Sequence, residues 1–86
     1  MESYLNRLVI ERMGPSVLKT ASDIYPAWID QYELAKRIYD PEITQYSVAV
    51  AYSRAILEHL ARLGRLEERV ENGGQVVYRF KREGYR

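Results

Sequence analysis

A chain of 86 residues, 47% of them hydrophobic, is long enough for one small domain with one modest core. It contains no cysteine, which excludes disulfides and thiolate metal sites, and its formal net charge is only +1. No apolar run approaches the roughly 18 residues needed to cross a bilayer, and the start, Met1-Glu2-Ser3-Tyr4, lacks the basic region of a signal peptide, so we expect a cytoplasmic protein without a membrane partner.

The N-terminal third is predicted to contain one or two helices. Apolar residues recur at helical spacing after Ser3, a fair N-cap, so Ser3–Arg12 is predicted as an extra N-terminal helix or as an extended segment. Gly14-Pro15 is predicted to end that segment and to start the next helix, because proline suits the first helical position. Tyr25-Pro26 is predicted to end this second helix. Its apolar face comprises Val17, Leu18, Ala21, Ile24 and Tyr25.

The middle of the chain predicts a short strand, a capped helix and a connector. Ala27–Ile29 is an apolar run long enough only for a short strand. Asp30 follows as an N-cap, with Glu33 three residues later at the spacing of a capping box. Asp40-Pro41 is predicted to stop the helix. The connector Pro41–Tyr46 exceeds the roughly three or four residues of a minimal helix-turn-helix, which leaves room for a turn of its own.

The C-terminal half predicts the longest helix and a strand pair. The helix is predicted from Ser47 to Leu63, and Gly64 is placed to close it in the left-handed conformation. Leu66 and Val70 are predicted to begin a strand, and Gln75–Phe80 is predicted to form the returning strand. Between them, Asn72-Gly73 is a strong two-residue hairpin signal, although the following glycine would lengthen the turn or add a bulge.

This order of elements predicts an α+β fold for residues 1–86, as a single winged-helix domain. It would consist of a three-helix helix-turn-helix core with a C-terminal β-hairpin wing. Proteins with this layout more often than not bind nucleic acids. The helix before the wing then presents its outer face to the partner, and the hairpin adds a second contact.

Residues suited to catalysis are few. His59 is the only histidine and lies in the middle of a predicted helix. Glu67 and Glu68 are adjacent on a predicted strand, so they point to opposite faces and cannot form an acid–base pair on their own. Gly73-Gly74 lies in a hairpin and not between a strand and a helix, so it is no phosphate-binding loop. We therefore expect no enzyme, no metal site, no cofactor and no small-molecule substrate.

Residues suited to nucleic-acid binding are more numerous. Ten arginines against three lysines favour bidentate contacts with phosphate and stacking on bases. Arg54 is the best single candidate, since it lies on the predicted outer face of the longest helix. Acidic residues on the hairpin favour edge contact through a few arginines. The predicted contacts are Ser47, Ala51, Arg54, Glu58, Arg62 and Arg65 from the helix and its end, and Arg69, Arg79, Lys81 and Arg82 from the hairpin and beyond.

Several segments resemble a known family. Ser53–Leu57, Ser-Arg-Ala-Ile-Leu, is similar to the Ala-Arg-x-x-Leu core of that family's third helix, and Gln75–Tyr78, Gln-Val-Val-Tyr, to its closing Gln-Val-Ile-Tyr strand. Ile29–Ala35 is similar to the opening of its second helix, and Leu8-Val9 to an apolar pair before its first. Over about Leu8 to Phe80 the chain resembles small-subunit ribosomal protein number twenty-five of archaea and eukaryotes.

The resemblance implies a structural RNA-binding protein of the small ribosomal subunit. Such a protein lies in the head of the subunit, docked on ribosomal RNA near the tRNA exit side, with no catalytic role. The resemblance also implies that Arg54 contacts RNA from the third helix. It further implies that Arg79 and the basic residues after it lie beside RNA phosphates.

Two alternatives stay open. The first is a DNA-binding winged-helix transcriptional regulator that forms a homodimer, with Ser47–Arg62 in the major groove of double-stranded DNA and Ser3–Met13 for pairing. The second is a winged-helix module that binds only proteins through its aromatic surface. The near-neutral charge favours both alternatives, whereas Arg54 and Gln75–Tyr78 favour ribosomal RNA.

Overall fold

The structure, a computed structural model, describes residues 4–82. In this part of the chain three helices precede a two-stranded antiparallel hairpin, so the fold is α+β and compatible with the predicted winged-helix layout. The elements are α1 (Tyr4–Ile24), α2 (Gln31–Ile38), α3 (Tyr46–Arg62), β1 (Leu66–Val70) and β2 (Val76–Phe80). No helix among the described residues is long and apolar enough to cross a bilayer.

The first helix differs from the prediction. The predicted helix break at Gly14-Pro15 was wrong, since α1 runs without interruption from Tyr4 to Ile24 with Pro15 inside it. Ser3, the predicted cap, lies outside the described residues. Proline inside a helix removes one hydrogen bond and costs about 3 kcal/mol. Burial opposes this cost, because Ile10, Val17 and Ala21 lie on one helical face on both sides of the proline and belong to the core. The helix ends before Tyr25-Pro26, as predicted.

The second helix begins after its predicted cap and ends at Ile38, just before the predicted stop at Asp40-Pro41. The carboxylate of Asp30 accepts a hydrogen bond from the backbone N–H of Glu33 at 2.8 Å, which confirms the N-cap. The connector has a turn of its own. There the carbonyl of Asp40 accepts hydrogen bonds from the N–H groups of Ile43 and Thr44 at 2.9 and 3.1 Å.

The third helix forms the centre of the core. It begins at Tyr46, one residue before the predicted start, and packs against both α1 and α2. Gly64 has a φ of 79°, and the N–H of Arg65 reaches the carbonyl of Leu60 at 2.9 Å, which is the Schellman closure that the glycine predicts. The buried core cluster comprises Ile10, Val17, Ala21, Ile29, Leu34, Ile56, Leu57, Leu60, Leu66 and Tyr78.

The hairpin has the predicted strands but a longer turn. The register runs from Leu66 opposite Phe80 to Val70 opposite Val76. Glycines 73 and 74 both have positive φ, 89° and 85°, and the N–H of Gly74 reaches the carbonyl of Glu71. Since the N–H of Glu71 donates to the carbonyl of Gln75 at 2.7 Å, the loop between this pair has three residues, Asn72–Gly74, and the two-residue alternative was wrong.

A third chain segment attaches to this sheet at one residue. Ile29 forms an isolated antiparallel bridge with Tyr78, and both N–H···O distances are 2.7 Å. The predicted strand Ala27–Ile29 is thus reduced to a single bridging residue. The bridge places the loop between α1 and α2 beside β2, on the edge away from β1.

Candidate nucleic-acid interface

One face of α3 carries the predicted contact residues. Ser47, Ala51, Arg54 and Arg62 are exposed and Glu58 is half-buried, and their spacing places them along a single stripe. The opposite face of the helix faces the core and comprises Ala49, Ser53, Ile56, Leu57 and Leu60. The helix thus separates a packing face from a polar face, as its sequence predicts.

Arg54 and Glu58 form an ion pair in the middle of this stripe. Arg54 Nε donates to Glu58 Oε2 at 2.9 Å, and the two side chains are 66% and 40% exposed. The hydrogen bond and the charge of Glu58 raise the pKa of Arg54 above its ordinary value, so the guanidinium is a permanent cation. Because water screens an exposed pair of this kind, Arg54 can exchange Glu58 for another anion at little cost.

A polar groove of about 620 Å³ opens beside this ion pair. One wall is α3, the second is the start of α2 with Gln31 and Tyr32, and the third is the hairpin from Gly73 to Val76, with Tyr78 also in the lining. Arg54 and Glu58 both line it. The groove therefore brings together α3, the start of α2 and the turn of the hairpin.

Tyr78 connects the groove to the core. Its side chain is buried, and burial is the main cause that raises the pKa of its hydroxyl. The negative charges of Glu58 and Glu68 raise the pKa further, while the positive charge of Arg54 lowers it. The hydroxyl is therefore protonated at neutral pH and can donate a hydrogen bond to an acceptor in the groove.

Asp30 fixes the hairpin against the start of α2. One of its oxygens, Oδ1, accepts from the N–H of Glu33, and the other, Oδ2, accepts from Nε2 of Gln75. A single carboxylate thus caps a helix and holds the end of the hairpin turn. This link helps to set the width of the groove between α2 and the hairpin.

The hairpin arginines lie on the other face of the sheet. Arg69 and Arg79 lie 4.2 and 4.4 Å from the ring centroid of Trp28, and Arg79 and Arg82 lie 5.6 and 5.3 Å from that of Tyr25. We call these five side chains the arginine–aromatic row. Strand alternation separates Arg69 and Arg79 from Tyr78, which faces α3.

Two carboxylates also contact this row. Glu71 binds Arg69 at 2.7 Å, and Glu67 binds Arg79 at 3.1 Å. The hydrogen bond to Glu67 raises the pKa of Arg79. Glu67 and Glu71 are thus partners of the hairpin arginines. The two strand neighbours Glu67 and Glu68 point to opposite faces, with Glu67 opposite Arg79 and Glu68 opposite Tyr78.

The ten predicted contact residues therefore divide into separate groups. Ser47, Ala51, Arg54, Glu58 and Arg62 share the α3 stripe, whereas the arginines of the hairpin belong to the row on the other sheet face. Arg65 and Lys81 lie together beyond the end of α3, where the N–H of Lys81 donates to the carbonyl of Arg65 at 3.2 Å.

Sequence reasoning missed the aromatic partners of the arginines. Strand alternation predicted Val77 and Arg79 on one face, but Arg69 joins them only because the turn is longer than two residues, which shifts the register so that Arg69 pairs with Val77. Nothing local indicated that Tyr25 and Trp28 would cover that face, since their position depends on the bridge between Ile29 and Tyr78. The contributions of Gln31, Tyr32 and Gln75 to the groove were missed for the same reason.

The remaining candidate for catalysis or metal binding is His59. It is half-buried and lines a second, more apolar groove of about 330 Å³ between α1 and the end of α3. Among residues 4–82, no group of three or more His, Cys, Asp or Glu side chains is arranged to hold a metal ion.

Comparison of the chain with protein-family models, with curated proteins and with solved structures finds no match. The function is therefore inferred from the arrangement of the side chains.

Proposed function

We propose that this chain is a winged-helix protein that binds double-stranded DNA, with α3 as the recognition helix and the hairpin as the wing. The observation that carries the proposal is the exposed stripe of α3 from Ser47 to Arg62, which runs beside an open polar groove shared with α2 and the hairpin. Small residues occupy the first half of this stripe and charged residues the second, as suits a helix that approaches base edges closely.

The dimensions of α3 fit a DNA groove. Its 17 residues span about 25 Å, and the major groove of B-DNA, about 12 Å wide, admits one helix. Ser47 and Ala51 have small side chains, so a duplex can approach the first half of the exposed stripe closely. Arg54, in the second half, is then in position to bind a phosphate or a guanine.

The ion pair between Arg54 and Glu58 fits this role. Arginine donates to guanine O6 and N7 or to phosphate, and glutamate accepts from cytosine N4. Arg54 and Glu58 can therefore contact the guanine and the cytosine of one base pair, or Glu58 can contact a cytosine while Arg54 binds a phosphate. Because the side chain of Arg54 is exposed and that of Glu58 is 40% exposed, the pair opens at low cost when DNA offers a new partner. With a net charge of only +1, we expect few phosphate contacts and a shallow salt dependence.

Replacing Arg54 tests the proposal. We expect R54A to weaken binding of a duplex of about 20 base pairs by about 5- to 150-fold in fluorescence anisotropy, since a good bidentate contact contributes about 1–3 kcal/mol. The melting temperature should stay nearly unchanged, because the lost ion pair is exposed. Arg37, exposed on α2 and outside the groove lining, provides the control R37A with the same change in charge. Equal binding by the two variants, or no binding by the wild type, would contradict the proposal.

Docking on ribosomal RNA is the second candidate. It is favoured because one groove is lined by several of the residues that carry the resemblance to the ribosomal family, namely Arg54, Gln75, Val76 and Tyr78. A-form RNA has a major groove too narrow for α3, so the contact would use phosphates and unpaired bases at the rim. Sedimentation of the endogenous protein with small ribosomal subunits through high-salt sucrose separates the two. Stoichiometric co-sedimentation supports the ribosomal role, and a free pool that binds a DNA duplex supports the first.

A further inference from the structure

We infer that the arginine–aromatic row on the outer face of the hairpin is a second binding site, and that its ligand is single-stranded nucleic acid. The site goes beyond the proposed duplex contact, because Arg69 and Arg79 lie on the sheet face opposite the one that packs on α3. Its chemistry is that of stacking and phosphate binding, whereas the α3 stripe offers small and charged groups to a groove.

The row alternates cations and rings along the sheet. Trp28 lies between Arg69 and Arg79, with guanidinium-to-centroid distances of 4.2 and 4.4 Å. Tyr25 lies between Arg79 and Arg82, at 5.6 and 5.3 Å. These contacts hold two aromatic rings and three guanidinium groups together without burying them completely, since both rings are half-buried and Arg69 and Arg82 are exposed.

This composition matches what an unpaired strand presents. Exposed bases stack on aromatic rings and on guanidinium planes, at about 1–3 kcal/mol per base, and the phosphates between them bind arginine. Bases inside a duplex are already stacked on both sides, so a duplex cannot use the rings in this way. An unpaired strand therefore offers bases to the rings and phosphates to the arginines of the row at the same time.

Shallow depressions border the row at both ends. One of about 430 Å³ is lined by Arg69, Val70, Glu71 and Asn72, and the other of about 230 Å³ by Ser22, Tyr25, Phe80 and Arg82. Each contains one arginine of the row, and the second also contains a ring. A strand laid along the row would thus find space for further bases beyond Trp28.

The carboxylates of the hairpin pair with two arginines of the row but do not prevent the row from binding a phosphate. Arg69 and Glu71 are 51% and 43% exposed, so a phosphate can replace Glu71 at small cost. Arg79 is only 26% exposed and is held by Glu67, which suits it to keep the two rings in position. Binding should then rely on stacking together with about two phosphate contacts, one each at Arg69 and Arg82.

Trp28 reports on this site directly, since it is the only tryptophan of the chain. Its fluorescence, excited where tyrosine does not absorb, is followed while the full chain is titrated with oligothymidylate or oligouridylate of about twelve nucleotides. We expect quenching by at least one of the two. Quenching by both would show that the site ignores the sugar, and quenching by one would identify DNA or RNA as the ligand. No change with either would overturn the inference.

Charge-matched variants test which side chains bind. R69Q/R82Q should bind the quenching strand about tenfold more weakly, and the slope of log affinity against log salt should fall by about 1.4, or 0.7 for each lost phosphate contact. The control R12Q/R37Q removes the same charge from exposed positions on α1 and α2. If both double variants bind equally, the row is not a binding site.

Two further variants distinguish a failure of this inference from a failure to fold and from a failure of the duplex site. R69K/R82K keeps the charges but lacks the planar guanidinium, so we expect it to bind with intermediate affinity. It replaces R69Q/R82Q in the test if that variant does not fold. R54A should leave the quenching of Trp28 unchanged while it weakens duplex binding. A wild-type protein that shows quenching but binds no duplex would contradict the proposed function and leave this inference standing. A wild-type protein that binds a duplex without quenching by either single strand would overturn this inference alone.

Discussion

The two faces of the hairpin are held in place by different forces. On the inner face, Leu66 and Tyr78 belong to the core cluster together with the buried residues of α3. On the outer face, Arg69 and Arg79 contact Trp28, and the buried residue between them is Val77. Five-residue strands supply both faces by alternation. The inner face therefore provides stability, while the outer face leaves its stabilising groups accessible to a partner.

The largest expected effect compares the two faces directly. L66A should lower the free energy of unfolding by about 2–5 kcal/mol, because it leaves a cavity in the core. V77A removes two methyl-sized groups on the outer face and should cost roughly 1.5 kcal/mol. Urea denaturation of both variants measures the difference. Equal losses would show that the outer face is as tightly packed as the inner one.

The same comparison explains how far the sequence could predict the molecule. Alternation in Gln75–Phe80, the glycine that closes α3 and the cap at Asp30 are local signals, and the structure confirms each of them. The outer face escaped prediction because Trp28 reaches it through a bridge between residues distant in sequence. The continuity of α1 escaped as well, since burial against α3 outweighs the local tendency of Pro15 to break a helix.

The candidate site was predictable to a similar degree. The α3 stripe follows from helical spacing alone, and the structure places its members on one face, as predicted. The groove needed the relative position of three elements, which includes the link from Asp30 to Gln75. Local patterns do not encode such contacts, because either residue would be satisfied by water in an extended chain.

An intermediate effect is expected where the hairpin meets α2. D30A removes the cap of α2 and the acceptor of Gln75, and should lower the free energy of unfolding by about 1 kcal/mol. D30N is the matched control, because asparagine also caps helices well. Q75A removes only the link to the hairpin, so it should cost less than D30A. A loss as large in D30N as in D30A would assign the effect to the charge and not to the cap.

The smallest effect at neutral pH concerns Tyr78 on the inner face. Because burial raises the pKa of its hydroxyl in the folded state, the folded protein holds this proton more tightly than the unfolded chain does. The contribution to stability is fully present below the ordinary pKa of about 10 and is lost as the pH rises through the raised value. Unfolding free energies from urea titrations, measured from about pH 8 upward, should therefore fall in the wild type more than in Y78F.

The charge of Glu58 sharpens this test, since it also raises the pKa of Tyr78. E58Q should bring the pKa closer to its ordinary value and reduce the alkaline loss of stability, whereas Y78F should abolish this part of it. The other tyrosines titrate in all three proteins, so the differences between the curves isolate Tyr78. Parallel curves for the wild type and Y78F would mean that the hydroxyl is as well solvated in the folded groove as in the unfolded chain.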